Sequence, residues 1–214
     1  MTTTCFLNTT HHNSNTYDNE SNEGVLMSQT TKRALAASLK KLLIEKPLDK
    51  ITVIDITEDC EVNRQTFYYH FQDIYDLIEW IYISEAGRAL DGMKTYDTWQ
   101  QGFLHICEYV KENKAFVINT YHSVSREFLE NFLHHETYNL LIGVVEEKSQ
   151  GMSVRDEDKS FIANFYKYAF VGLMLEWVRQ GMKEDPKNVI EHISVLIQGD
   201  ISRMLNKYRT DSHH

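Results

Sequence analysis

The sequence predicts an all-α protein of about nine helices, with a small three-helix unit followed by a larger helical domain. Three observations support this prediction. The 214-residue chain contains only two prolines, Pro47 and Pro186, and proline is the residue that most disrupts a helix interior. Large apolar residues recur three and four positions apart, as they do on the buried face of a helix. The hydrophobic fraction of 42% and charged fraction of 25% are typical of a globular chain.

Residues 1–27 differ in composition from the rest of the chain. They are rich in Thr, Asn and Ser, contain no Lys or Arg, and show no apolar period. Segments of this composition bury too little apolar surface to fold alone. We therefore expect a disordered tail over 1–27, a folded unit over 28–73 and a second domain over 74–210.

A first helix is predicted from about Thr30 to Glu45. Four leucines of this segment are spaced as i, i+4, i+7 and i+8 and form one apolar stripe. Ser28, Thr30 and Thr31 carry side-chain oxygens suited to cap its start. Pro47 follows and marks its end.

Two short helices follow, about 53–60 and 64–70, joined by a tight turn. Thr52, with an aspartate three positions later, resembles a capping box for the first of them. Asn63 is a candidate N-cap for the second. A fourth helix begins after a capping aspartate, is expected to continue toward Gly92, and connects this unit to the rest of the chain.

Five further helices are predicted after residue 95. Their approximate ranges are 97–112, 114–123, 125–149, 156–182 and 186–207. Gly151 and the Asp185–Pro186 pair are the clearest breaks. The last two helices are so rich in apolar residues that we expect them to form a homodimer through a two-fold helical bundle. The residues assigned to this interface are Leu173, Leu175, Ile193, Ile197, Ile201 and Met204.

The main functional signal lies in the two short helices. Such a pair, joined by a tight turn, predicts a helix-turn-helix DNA-binding domain, whose second helix enters the DNA major groove. Phe67 and Phe71 are apolar anchors for that second helix. Arg64 and Gln65 lie at its N-terminus, where Arg suits guanine and Gln suits adenine. The residues expected to contact DNA are Thr31, Lys32, Thr52, Asn63, Arg64, Gln65, Thr66, Tyr68, Tyr69 and His70.

The pattern T-F-Y-Y-H-F followed by D-x-x-x-L, within residues 28–80, resembles the recognition helix of TetR/AcrR transcriptional regulators. The resemblance implies an N-terminal three-helix DNA-binding domain and a larger C-terminal helical domain that binds a ligand and dimerises. It implies DNA contacts for Arg64, Gln65, Thr66, Tyr68 and His70. Near the C-terminus, the run F-V-G-L-M-L-E-W-V-R-Q-G-M-K-E-D-P is similar to a subgroup that includes the dihydroxyacetone-kinase operon activator. That similarity implies control by a partner protein.

Three features depart from the family pattern. Ile74 stands where a phosphate-contacting lysine is frequent, so that contact is lost. Glu61 stands in the turn where glycine is frequent. Either a left-handed Glu61 costs about 1 kcal/mol, or the turn differs slightly from the family pattern. Residues 28–80 contain seven Lys and Arg against nine Asp and Glu. Affinity is therefore expected to rest on few phosphate contacts and on the pairing of two half-sites.

Aromatic residues of the larger domain are candidates for a ligand pocket, although such residues more often form core. They are Trp99, Phe103, Tyr109, Tyr121, Phe165, Tyr168 and Trp177. No metal site is predicted, because His134-His135-Glu136 lacks the second histidine of H-E-x-x-H. The glycine-rich cofactor motifs and the G-x-S-x-G nucleophile motif do not occur, so neither a cofactor nor an enzymatic activity is expected.

The sequence therefore predicts a sequence-specific transcriptional regulator, a ligand-responsive repressor that binds a palindromic operator as a dimer. A cytoplasmic location without a membrane partner is expected, since no apolar run approaches about 18 residues. The net charge of −9 argues against a general nucleic-acid coat. An activator or adaptor of the same family, controlled by a partner protein, stays open. So does a helical enzyme or lipid-binding protein.

Overall fold

The regular elements of the described part of the chain are helices. A computed structural model describes residues 15–86, 95–197 and 199–211, with side chains from residue 28 onward. α1 spans Asn15–Glu45 and leads through a 3-10 turn at Leu48–Lys50 to α2. The helices after that turn are α2 (Val53–Asp59), α3 (Arg64–His70), α4 (Ile74–Ala86), α5 (Trp99–Glu112), α6 (Lys114–Tyr121), α7 (Arg126–Lys148), α8 (Asp156–Arg179), α9 (Pro186–Ile197) and α10 (Asp200–Tyr208). The predicted all-α class is confirmed.

α1 is longer than the sequence predicts. It begins at Asn15, so residues 15–27 are helical where a tail was expected, and residues 1–14 lie outside the described part. Ser28, Thr30 and Thr31 therefore lie inside the helix and do not cap it. The physical reason is cooperativity. Once the buried leucine stripe nucleates the helix, each added residue costs little, and residues 15–27 contain no proline to stop it.

The C-terminal segment is divided into two helices rather than one. Gly199, between α9 and α10, has a φ of 79°, in the left-handed region that glycine adopts without strain. A continuous helix over 186–207 cannot contain such a residue. The predicted continuation of α4 toward Gly92 falls on residues 87–94, which lie outside the described part.

The helices α1 to α3 form a small unit, called the head below. Leu35, Leu39, Ile56 and Phe67 are fully buried in its core. The Ser38 hydroxyl donates to the Ile56 carbonyl oxygen at 3.0 Å and ties α1 to α2. Burial of each such apolar side chain contributes about 1.5–3 kcal/mol, so this cluster stabilises the head.

The helices α5 to α10 form the larger domain, called the body below, and α4 joins it to the head. Tyr82 of α4 is buried, and its ring centroid lies 4.9 Å from that of Phe116 and 5.3 Å from that of Phe132. Its hydroxyl shares a 2.6 Å hydrogen bond with the Thr120 hydroxyl, which satisfies two buried polar groups at once. These contacts embed α4 in the body. Among the described helices, none is long and apolar enough to cross a bilayer.

Candidate nucleic-acid interface

The turn between α2 and α3 depends on the backbone of Glu61. This residue has a φ of 55°, so the left-handed conformation considered from the sequence is the one present. The Val62 N–H donates to the Thr57 carbonyl oxygen at 3.0 Å and closes the turn. The short turn brings α3 back across α2, as a helix-turn-helix motif requires.

Side-chain caps define where α2 and α3 begin, as predicted. Thr52 accepts a hydrogen bond from the Asp55 N–H, and the Asp55 carboxylate accepts one from the Thr52 N–H at 2.7 Å. Asn63 accepts a hydrogen bond from the Gln65 N–H at 2.8 Å. Each cap satisfies a backbone donor that the first helical turn leaves free. Thr52 and Asn63, both expected to contact DNA, therefore also have structural roles.

The inner side of α3 anchors it to the head. Phe67 and Phe71 are buried, and the Phe71 ring centroid lies 5.9 Å from that of Trp80 on α4. Ile74, where the family frequently has lysine, is half-buried against the same core. An apolar residue at that position therefore packs the junction of α3 and α4 instead of reaching toward a phosphate.

The outer side of α3 presents polar groups to solvent. Arg64, Gln65 and Tyr68 are exposed, and Tyr69 is 82% exposed. The Arg64 guanidinium donates to the Tyr68 hydroxyl at 3.1 Å and lies 5.4 Å from its ring centroid. Thr66 is half-buried. The structure thus brings the predicted base-reading and phosphate-contacting side chains onto one short exposed surface.

Lys32 of α1 lies at the far end of that surface. Its Nζ is 5.6 Å from the Phe71 ring centroid and 5.9 Å from that of Trp80. Burial, and then the positive charge of Lys32, lower the pKa of His70. His70 is therefore a neutral hydrogen-bonding group near pH 7, while Lys32 supplies the charge at this end. Thr31 is half-buried beside it.

Tyr75 is a further candidate that sequence reasoning missed. It is 44% exposed and follows the Asp73 cap, whose carboxylate accepts a hydrogen bond from the Tyr75 N–H at 2.8 Å. A phenol at the start of α4 can donate to a phosphate, as the missing lysine would. The sequence offered one signal for Tyr75, namely that it is the next residue after Ile74, where a phosphate-contacting lysine is frequent in the pattern.

Part of the head's charge is paired internally. Lys46 binds Asp55 at 2.8 Å, and Lys41 binds Asp59. The Lys46 ammonium and the Thr52 hydroxyl and N–H lower the pKa of Asp55 to about 2. The ammonium groups of these two lysines are paired with carboxylates, so they attract phosphates less strongly than unpaired lysines would. The expectation that DNA affinity rests on few phosphate contacts stays a prediction.

The aromatic residues expected to line a ligand pocket do not form one site. Trp99, Phe103 and Trp177 are buried, and the first two have ring centroids 5.7 Å and 4.8 Å from that of Phe170. Tyr109 and Tyr121 are half-buried. Phe165 and Tyr168 are 59% and 63% exposed on the outside of α8. The expected pocket is therefore divided between packed core and open surface, because aromatic content alone does not show on which side of a helix a ring lies.

A groove of a different composition lies between α4 and α7. Its volume is about 340 Å³. The side chains that line it are Glu79, Tyr82, Ile83, Phe128, Asn131, Phe132 and His135. Four are apolar or aromatic and three are polar, a mixture typical of small-molecule sites. Within the described part, no group of three or more His, Cys, Asp or Glu side chains is placed to hold a metal ion.

The residues expected at the dimer interface occupy three kinds of environment. Ile193, Ile197 and Ile201 are buried within their own chain, and Leu175 and Met204 are half-buried. Leu173 is exposed as expected. The apolar side chains that α8 and α9 leave exposed are Phe161, Phe165, Tyr168, Leu173, Val195 and Leu196. The surface available to a second chain is therefore the opposite side of α9 from the one predicted.

Comparisons with known proteins agree with this architecture. The family described as "Bacterial regulatory proteins, tetR family" matches residues 30–81, which contain the helix-turn-helix. The family described as "Transcriptional regulator C-terminal region" matches residues 97–199. Together the two matches span well over half of the chain. A curated relative, the HTH-type dhaKLM operon transcriptional activator DhaS of Lactococcus lactis subsp. lactis (strain IL1403), is 28% identical over 153 residues, which are 71% of this chain and 81% of the relative.

Solved structures share the fold. The dihydroxyacetone kinase operon activator DhaS superposes with a TM-score of 0.66 at 24% identity, covering 84% of this chain and 98% of that one. NalD, the secondary repressor of the MexAB-OprM multidrug efflux pump in Pseudomonas aeruginosa, superposes with a TM-score of 0.55 at 14% identity, covering 86% and 99%. On its two family matches and its helix-turn-helix architecture, the chain belongs to the TetR family of transcriptional regulators.

Proposed function

We propose that this regulator binds a palindromic operator in double-stranded DNA as a homodimer and reads each half-site with α3. The observation that carries the proposal is the exposed polar side of α3. Asn63 caps the helix so that Arg64 and Gln65 occupy its first turn, and Phe67 holds the opposite side in the core. The first turn of a recognition helix is the part that reaches base edges.

The side chains of the head divide between reading and positioning. Arg64 is assigned to guanine O6 and N7, and Gln65 to adenine N6 and N7, because these pairings match donors and acceptors in the major groove. The residues assigned to phosphates are Thr31, Lys32, Thr52, Thr66, Tyr68, Tyr69, His70 and Tyr75. Phosphate contacts fix the register of the helix and carry no sequence information directly.

The exposed apolar stripe of α8 is the proposed dimer surface. Phe161, Phe165 and Tyr168 follow one another at i, i+4 and i+7, so they lie on one side of the helix, and Val195 and Leu196 are further exposed apolar side chains on α9. A large exposed apolar patch on a helical domain marks an association site. Two-fold pairing there presents two heads, which bind half-sites about 34–36 Å apart.

The regulatory role is proposed to be ligand-responsive repression in the cytoplasm, without enzymatic activity. The α4–α7 groove is the candidate effector site, because α4 leads directly from the head to the body and lines the groove through Tyr82 and Ile83. Its apolar side chains, together with Glu79 and His135, suit an apolar molecule that also donates hydrogen bonds. A ligand that favours one position of α4 shifts the population of head orientations.

Control by a partner protein is the second candidate. Close packing beside Phe103 and Trp177 supports it, since the cavity at that place is only about 10 Å³, about the space of one water molecule. The relative DhaS is named as a transcriptional activator, so activation is the sign of regulation proposed for this second candidate. In that case small molecules leave DNA affinity unchanged and a protein partner alters it.

Selection of binding sequences from random duplex DNA tests the function. The full-length chain is expected to enrich a palindrome, and fluorescence anisotropy should then show specific, salt-sensitive binding. Arg64→Ala should reduce affinity for the enriched sequence, whereas Lys207→Ala on α10 should not. Absence of any sequence preference at low salt contradicts the proposal.

A further inference from the structure

A network of polar side chains joins the head to the body near the C-terminal end of α1. Lys40 Nζ lies 2.7 Å from both carboxylate oxygens of Glu85 on α4 and 2.8 Å from Oδ1 of Asn113, which precedes α6. The two charged side chains are only 22% and 26% exposed. An ion pair this sheltered is screened less by salt than an exposed one, so it can hold two helices in a defined relation.

Tyr109 of α5 completes the network. Its hydroxyl donates to Oε2 of Glu85 at 2.5 Å. Burial, and then the negative charge of Glu85, raise the pKa of Tyr109 well above its usual range, so the phenol stays protonated and remains a donor. Lys40 Nζ also lies 5.7 Å from the Tyr109 ring centroid and 5.4 Å from that of Phe116. One residue of the head is thus in contact with groups from α4, α5 and α6.

A second attachment lies three residues further along α1. Asn119 of α6 donates to the Leu43 carbonyl oxygen at 3.4 Å and accepts from the Leu48 N–H at 3.2 Å. A head held at one point could turn about that point. Contacts at Lys40 and at Leu43, about one helical turn apart, restrict that rotation.

We propose that Lys40, Glu85 and Tyr109 are positioning residues that fix the angle of the head on the body and thereby set the half-site spacing that the dimer accepts. The inference rests on the proposed function, since spacing matters only to a dimer that binds two half-sites. One added base pair moves a half-site by about 3.4 Å and rotates it by about one tenth of a turn. A fixed head cannot follow that change, whereas a head without the Lys40–Glu85 pair, held by Asn119 and by the contact of Phe71 with Trp80, has more freedom to do so.

Substitutions of the ion pair provide the test. Lys40→Gln and Glu85→Gln each leave one half-sheltered charge without its partner, and such a charge tends to move toward water. Lys41→Gln is the matched control, because Lys41 binds Asp59 inside the head and does not cross to the body. The reversed pair, Lys40→Glu with Glu85→Lys, restores the attraction and is expected to restore the wild-type result.

Operators from the selection are then rebuilt with the centre shortened or lengthened by one or two base pairs. The wild type and Lys41→Gln are expected to lose at least tenfold in affinity for each displaced operator. Lys40→Gln and Glu85→Gln should lose less than threefold. Affinity for a single half-site should agree within threefold in all variants. Identical spacing profiles for Lys40→Gln and the wild type would overturn the inference, and so would a uniform loss at every spacing.

A second measurement does not depend on DNA. Spin labels at Glu58→Cys in the head and Glu157→Cys in the body, with the native cysteines replaced by serine, report the intra-chain distance when labelled protein is diluted into unlabelled protein. The distribution should broaden in Lys40→Gln and stay narrow in Lys41→Gln, with far-ultraviolet circular dichroism unchanged in both. An unchanged distribution refutes the positioning role. A broadened one in a protein that selects no operator supports that role and refutes the proposed function.

Discussion

Replacement of Glu61 by glycine should make the protein more stable. Glu61 is held at a φ of 55°, and a residue with a Cβ atom pays about 1–2 kcal/mol for the left-handed region. Glycine removes that strain, but the more flexible unfolded chain takes back about 0.4–1 kcal/mol. The net gain is about 1 kcal/mol, which corresponds to a Tm increase of about 2–4 °C for a chain of this length.

The control for this change is Glu61→Gln, which removes the charge and keeps the Cβ atom. Urea unfolding should give Glu61→Gly a free energy of unfolding about 1 kcal/mol higher than that of Glu61→Gln, and differential scanning calorimetry should give it a Tm about 2–4 °C higher. DNA affinity should rise equally in both variants, because each removes one negative charge from the turn that precedes α3. If Glu61→Gly were no more stable than Glu61→Gln, the turn would not carry the strain that its φ implies.

Four further outcomes are expected. Arg64→Ala should weaken operator binding by about 10- to 100-fold for each half-site, the loss of one bidentate base contact per subunit, with the Tm unchanged in a thermal melt. Phe67→Ala should destabilise the head by about 3–5 kcal/mol and abolish DNA binding, whereas sedimentation should show the same oligomeric state as the wild type. Phe165→Asp should yield monomers in sedimentation velocity at concentrations where the wild type is dimeric. The pKa of Asp55, lowered to about 2 in the folded chain from its usual 3.8, contributes stability that is present above pH 4 and lost toward pH 2. The free energy of unfolding of Asp55→Asn should therefore change less between pH 4 and pH 2 than that of the wild type. An equal pH dependence in the two proteins would show that the Lys46–Asp55 ion pair does not contribute to it.

The helix-turn-helix could be predicted from the sequence in detail because its determinants are local. In the Thr52 capping box and the Asn63 cap, the side chain binds a backbone group within about three residues of itself. The strain at Glu61 lies in the backbone of that residue alone. The alternation of buried and exposed positions in α3 follows from the helical period once Phe67 is taken as the anchor.

The extent of α1 could not be predicted in the same way. Residues 15–27 lack an apolar stripe, and helix propagation from a nucleated segment leaves no mark in composition. The same limit applied to the division of the last segment at Gly199, since a glycine in a helical pattern does not reveal its φ.

What the sequence by itself determined is the helical class, the head and the polar side chains that α3 presents to solvent, because helical period and capping act within one or two turns. Only the tertiary structure decided which side of α8 and α9 stays exposed, since both helices carry apolar residues on more than one side. It also decided that the expected aromatic pocket is divided and that a groove lies between α4 and α7. The contact of Lys40 with Glu85 spans 45 positions of sequence. Such a pairing depends on how four helices pack together, and no local pattern of residues encodes it.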